Sequence, residues 1–306
     1  MAVVHGKGYS PLDFPASEVE SLYRKHGAML LRGFDMSIAG FRDLAKRLCP
    51  TSVFNESPGR VTLDDATQIQ TVNLGNDAFP LHPELSREPW RPDACLFYCL
   101  EPDSSGGETT LCDGIGIVEN LPPALVEQMR DRKLLYIKLA TPPVLRYWLG
   151  TELPSDGLLA SPPPGCPYWF RRVGGAVIRG FTRRLLQQPM FDERLAFSNF
   201  LLFARDYLRV PNVPCLDDGQ PVPAEWMSEV RSAAEPIIYA VPWQKNDVAI
   251  IDNSRFMHGR RAIADPGKRS IGSYFGYVSF APPQLGEPVK PIWRQDNFRP
   301  PVPYFG

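Results

Sequence analysis

Histidine is scarce in this 306-residue chain: there are four, His5, His26, His82 and His258. Any chemistry that needs imidazole must be drawn from that small set. Long apolar runs are missing as well. Stretches such as "GAMLLRGF" and "ACLFYCL" fall far short of the ~20 residues that span a bilayer. The opening "MAVVHGKGYSPLDF" lacks the apolar centre of a secretory signal, so the sequence predicts a cytoplasmic protein. No basic block stands out and the formal net charge is −1. That argues against nucleic acid as a partner, because phosphate binding depends on concentrated positive charge. The six cysteines form no C-x-x-C and no dense framework, which predicts buried free thiols rather than disulfides or cysteinyl zinc.

Proline is abundant instead, with 33 residues clustered in "TPPVLRYW", "SPPPGCPYW", "VPNVPC" and "GQPVPAEW". Proline breaks helices and cannot donate to a ladder, so these clusters predict irregular excursions through the middle of the chain. Strand patterns occupy both ends: "AMLLRGF", "TQIQTVNL" and "ACLFYCLEP" early, "DVAIIDN", "GRRAI" and "SIGSYFGYVSF" late. Helices are predicted at "SEVESLYRKHG", capped by Ser17 and stopped by Gly27, and at "SIAGFRDLAKRLC", capped by Ser37. Further ones are read at "ERLAFSNFLLFARDYLR" and "AEWMSEVRSAAE". The expected fold is mainly β within an α+β chain, one β core that carries a helical, loop-rich insertion. Periodicity alone does not choose between a sandwich and a barrel. One domain over residues 1–306 is expected, with the insertion or lid at about 140–235.

"FPLHPELS" holds His82 two residues before Glu84. In extended chain, alternate side chains share a face, so this imidazole and carboxylate can reach one ion. Taken alone, the pair reads as two polar groups beside a turn at Pro83. Far downstream, "VAIIDNSRFMHGRRAI" brings His258 out of a polar turn that follows an apolar strand. His5 sits in the N-terminal tail and His26 in the last turn of a helix, contexts that suggest nothing. Two imidazoles and one carboxylate make the facial set that holds non-haem Fe(II) with positions left open. A hydrogen-bonded histidine at a strand end is the plain alternative for His258. Thr109 follows the glycine turn in "SSGGETT", and Arg269 opens the strand in "GKRSIGSY". A guanidinium fork with one hydroxyl suits a dicarboxylate. Each has a plain alternative too, Gly106-Gly107 as a hairpin turn and Arg269 as a surface charge.

In "LHPELS", "LFYCLEPDSSGGETTLCDG", "DVAIIDNSRFMHGRRAI", "GKRSIGSY" and the early "HGAMLLRGF", the chain resembles the TauD/TfdA family of Fe(II)- and 2-oxoglutarate-dependent oxygenases. The narrower likeness is to the branch containing the syringomycin aspartyl hydroxylase and clavaminate synthase. The likeness covers both ends, while the middle matches only in general character. It implies a double-stranded β-helix (jelly-roll) core. It implies His82, Glu84 and His258 as iron ligands, Thr109 and Arg269 as contacts of 2-oxoglutarate, and dioxygen as the second co-substrate. Glu84 stands where the taurine enzyme has aspartate, which fits the clavaminate-like branch, and an intact carboxylate argues against a halogenase. Some members carry a second arginine four residues after the co-substrate arginine. This chain has Ser273 there. The implied reaction is hydroxylation, or alternatively desaturation, of an amino-acid-like small molecule in natural-product biosynthesis, free or tethered to a peptidyl carrier protein. Asn73, Arg171 and Arg172 are candidate substrate contacts. The competing classes are a zinc hydrolase built on the same three ligands, which leaves Arg269 without a role, and a non-catalytic ligand-binding relative.

Overall fold

The computed structural model describes residues 1–301 except 56, 58, 73, 74, 104, 105, 266, 268, 283, 285 and 297. The largest sheet runs in the order Ala2–His5, Ala28–Arg32, Val248–Asp252, Ala94–Glu101, Ser270–Tyr277, Ile69–Thr71, Thr62–Asp64. Thr51–Ser52 joins it alongside Ser270–Tyr277. Alternation along its central strand sorts the core into two layers. Ala94, Leu96 and Tyr98 pack with Tyr23, Phe41 and Leu44 of the two N-terminal helices, Ala16–His26 and Ile38–Leu48. Cys95, Phe97 and Cys99 point the other way and pack with Leu81, Leu111 and Met257. Those last residues belong to a second sheet, ordered Tyr239–Ala240, Thr109–Asp113, Phe256–Arg260, Phe79–His82. The candidate site lies on this smaller sheet. A third sheet, Trp169–Val173, Ala176–Arg184, Lys133–Leu139, Cys215–Leu216, is built largely from the middle of the chain.

Several local expectations change. Ser17 lies inside the first helix rather than capping it; Pro15 holds the N-cap, and Gly27 ends the helix at φ 65°. Ser37 does cap the second helix, accepting from Gly40 N. "TPPVLRYW" is not an irregular excursion but the helix Pro142–Leu149. Its prolines occupy the first turn, where no N–H is needed. Conversely, "ERLAFSNFLLFARDYLR" contributes only Leu201–Asp206 to a helix. The Asn199 side chain accepts from Leu201 N and donates to Leu185 O, so it competes with helical bonding upstream. Among the described residues all six cysteines are free, five of them buried. No helix among them is long and apolar enough to cross a membrane.

Candidate active site

His82 closes the strand Phe79–His82, and His258 sits at the centre of the neighbouring strand, Phe256–Arg260. The antiparallel register places the two histidines directly opposite one another, with ring centroids 4.5 Å apart. The pairing needs Gly259. A Cβ there would fall 2.5 Å from Phe79 O, and the register shifts between His258 and Arg260. Glu84, just past the end of the His82 strand, turns back so that one donor atom from each of the three residues lies within 4.8 Å of the others.

The surroundings of each of the three side chains are defined. The Pro80 carbonyl accepts from His82 Nδ1 at 2.8 Å, which leaves Nε2 free to coordinate. His258 Nδ1 is buried without a hydrogen-bond partner, and Nε2 faces Glu84 Oε2 at 3.8 Å, too far for a hydrogen bond. Glu84 Oε1 accepts from Asn55 Nδ2 at 2.7 Å and from Leu85 N at 3.2 Å. Asn253 clamps the Glu84 backbone: its Oδ1 accepts from Glu84 N at 2.7 Å, and its Nδ2 donates to Glu84 O and Pro92 O. Phe203 covers the His82 ring and Phe97 the His258 ring. Burial pushes the His82 imidazole below its ordinary range. His258 is pushed well below, by burial and then by His82. Both rings are therefore neutral near pH 7, the form that donates a lone pair. Ligands about 2.1 Å from one ion stand about 3 Å apart in a facial set, so small side-chain adjustments suffice to close this cluster. An unsatisfied buried imidazole, an oriented imidazole and a held carboxylate together fit a divalent ion.

Thr109 and Arg269 meet in the same cavity. Arg269 Nη2 donates to Thr109 Oγ1 at 3.4 Å, and Trp243 Nε1 donates to it at 3.0 Å. With both lone pairs of the hydroxyl engaged, its proton is left to donate outward to an acceptor such as a carboxylate. Gly107, at φ 68°, lets the arginine pass: a Cβ there would sit 2.9 Å from Arg269 Cδ. Burial, then Arg260, pulls the Arg269 guanidinium down to about 10, still charged at neutral pH. The cavity is open to solvent, and its lining includes His82, Glu84, His258, Thr109, Arg269, Arg60 and four phenylalanines, Phe79, Phe97, Phe200 and Phe203.

Sequence reasoning missed Asn55, Arg60, Trp243 and Asn253. Only Asn253 left a signal, as part of the polar "DNS" turn before His258. Arg171 and Arg172 lie on the exposed strand Trp169–Val173, outside the cavity lining, and Arg172 pairs with Asp156. Asn73 is outside the described residues.

A histidine pair on one sheet, a carboxylate just past the end of one of its strands, and an arginine–threonine pair in the same cavity form a donor set that could hold a divalent ion beside an anion. The model of the taurine catabolism dioxygenase TauD, TfdA family matches residues 6–273, and the chain belongs to that family. It is accordingly a non-haem iron dioxygenase that uses Fe(II), 2-oxoglutarate and dioxygen. It is 26% identical over 279 residues to a clavaminate synthase-like protein of Arabidopsis thaliana, covering 83% of each chain. It is 21% identical over 300 residues to the dapdiamide synthesis protein DdaC of Enterobacter agglomerans, covering 84% of each. Among solved structures, PvcB of Pseudomonas aeruginosa superposes with a TM-score of 0.58 at 15% identity, over 90% of this chain and 84% of that one. That likeness concerns the fold.

Proposed function

We propose that the protein hydroxylates an unactivated C–H bond of an amino-acid-derived small molecule in natural-product biosynthesis. His82, Glu84 and His258 hold the iron, and Thr109 with Arg269 holds the far carboxylate of 2-oxoglutarate. The core is a double-stranded β-helix in which the largest sheet and the four-stranded sheet that carries the histidines pack face to face, and the segment at about 140–235 acts as an insertion. The observation that carries this assignment is the convergence of the three ligand atoms and the Thr109–Arg269 pair on one cavity.

Bound Fe(II) and 2-oxoglutarate together supply the power to oxidise a C–H bond with dioxygen. The chain's own residues do the rest. Pro80 O fixes the His82 tautomer, while Asn55 and Leu85 N keep one Glu84 oxygen oriented. Arg269 offers a charged fork to the co-substrate carboxylate and Thr109 adds its proton. Phe79, Phe97, Phe200 and Phe203 wall the cavity and limit its water. Glu84 fills the third ligand position, which favours hydroxylation over halogenation. The names of two relatives, a clavaminate synthase-like protein and a dapdiamide synthesis protein, support a small-molecule substrate in a biosynthetic pathway. For a carrier-tethered form of that substrate, the exposed Arg171 is a cation that a carrier phosphate could meet, beside Arg172, which is paired with Asp156.

Anaerobic addition of Fe(II) and 2-oxoglutarate tests the assignment through the weak visible charge-transfer band of the chelate. Wild type should show the band. His258→Ala should lose it, and Arg269→Ala should need on the order of 100-fold more 2-oxoglutarate to develop it. A wild-type protein without the band would overturn the assignment. On admission of oxygen, a panel of amino-acid-derived acids, free and carrier-bound, should identify the form that drives succinate release.

A further inference from the structure

Arg60 lines the same cavity from the segment that precedes the strand Thr62–Asp64, and its side chain is only 7% exposed. Three features fix its guanidinium. Nη1 donates to Ser273 Oγ at 3.1 Å, and Ser273 in turn donates to Gln70 O. The Phe275 ring lies beneath at 5.3 Å.

The remaining edge of Arg60 is not satisfied by protein. Nε is buried with no hydrogen-bond partner, and Nη2 reaches only Glu84 Oε2, at 3.5 Å. A charge-assisted bond is normally about 2.7–2.9 Å, so this contact is a loose one. Glu84 already has closer donors in Asn55 and Leu85 N, and it is the one acidic side chain among the described residues lining the cavity. Once Glu84 serves an iron, its charge is spent and Arg60 faces a dication. A buried guanidinium beside a dication is costly unless an anion sits between them. The Nε–Nη2 edge presents two parallel N–H groups, the geometry that takes a carboxylate in bidentate fashion.

We infer that Arg60 is the substrate-recognition residue and that the substrate presents a carboxylate to its Nε–Nη2 edge, next to the metal site. This rests on the function proposed above and narrows its substrate to an acid whose carboxylate survives the reaction. Glu84 is committed to the metal, so no described lining carboxylate remains to receive a substrate ammonium. The favoured form is an acid with its nitrogen acylated.

The test titrates N-acetylglycine and N-acetylalanine, and separately their uncharged carboxamides, into the anaerobic Fe(II)/2-oxoglutarate protein. Changes in the chelate band report binding near the metal. The acids should shift the band saturably in wild type and the amides should not. In Arg60→Gln the apparent Kd for the acids should rise on the order of 10- to 100-fold, with Arg60→Lys recovering part of it. The 2-oxoglutarate concentration needed for the band should change by less than the acid Kd does. The inference is overturned if acids and amides act alike, if neither acts, or if Arg60→Gln leaves the acid response intact. It is also overturned if the acids abolish the band rather than shift it. A loss of 2-oxoglutarate binding in Arg60→Gln that matches or exceeds the loss of acid binding would assign Arg60 to the co-substrate. A wild type without any band overturns the proposed function itself, and this inference falls with it.

Discussion

The two walls of the cavity are built differently. The wall that carries the histidines is strand: His82 and His258 face each other across one ladder and Thr109 pairs with Arg260 across the next, so register dictates who faces whom. The opposite wall comes from elements with no ladder between them. Asn55 and Arg60 arrive from an irregular segment, and Phe200 and Phe203 from the short helix Leu201–Asp206 and its N-cap. A sheet holds side chains at separations set by the backbone, whereas a loop or short helix sets them only through packing. The strand wall is therefore suited to chemistry that tolerates little displacement, and the other to whatever substrate must be recognised.

That contrast is broken most sharply at Asn253, a loop residue on which the strand wall depends. Its side chain satisfies one buried N–H and two buried carbonyls around Glu84. Asn253→Ala leaves those groups without partners, at about 2–4 kcal/mol of stability. Glu84 is also freed to drift from the two imidazoles. Iron affinity should fall about 10- to 100-fold, the usual cost of losing an outer-shell partner. Anaerobic Fe(II) titration and thermal melting check both effects. Iron affinity within a factor of two of wild type would show that Asn55 and Leu85 N are sufficient to hold Glu84.

The same division explains what was legible in the sequence. His82 and Glu84 were readable as a close pair from their spacing, but Glu84 lies in a turn past the strand end, so the turn and not alternation in extended chain brings its carboxylate to the imidazole. His258, Thr109 and Arg269 became readable through family-like motifs surrounding each one. Arg60 and Asn55 were not, because nothing near them is periodic and their role depends on a fold that carries them to Glu84 and Ser273. The failed helix over "ERLAFSNFLLFARDYLR" has a comparable cause. Its apolar spacing is helical, but the side-chain bonds of Asn199 offer the backbone a competing arrangement that only tertiary context selects. The prolines of "TPPVLRYW" misled in the opposite direction, because a helix start tolerates what its interior excludes.

Within the strand wall, Trp243→Phe removes a single donor. Trp243 Nε1 occupies one lone pair of Thr109 Oγ1 and so helps aim the hydroxyl proton outward. Phenylalanine keeps most of the packing and loses that bond. The 2-oxoglutarate concentration for half-maximal chelate band should rise about 2- to 10-fold, with Fe(II) affinity in the absence of 2-oxoglutarate unchanged. An unchanged 2-oxoglutarate requirement would mean that Arg269 alone orients the hydroxyl.

The opposite wall should respond in another quantity altogether. Phe203 lies against the His82 ring at 4.5 Å and within an aromatic group formed with Phe79, Phe200 and Tyr207, yet its side chain donates and accepts nothing. Phe203→Leu keeps an apolar side chain of somewhat smaller volume, a change that usually costs under about 1.5 kcal/mol. His82 remains fixed by its bond to Pro80 O, so iron and 2-oxoglutarate affinities should stay within about 2-fold of wild type. What changes is the seal. A thinner wall admits water, and succinate formed without substrate should rise roughly 2-fold in aerobic turnover at saturating co-substrate. The two walls then separate cleanly in a single set of measurements: Asn253→Ala moves the iron titration, and Phe203→Leu moves the uncoupled succinate yield. If Phe203→Leu instead weakened iron binding as much as Asn253→Ala does, the aromatic cover would be holding His82 in place. The division between a strand-built chemical wall and a packed recognition wall would then be lost.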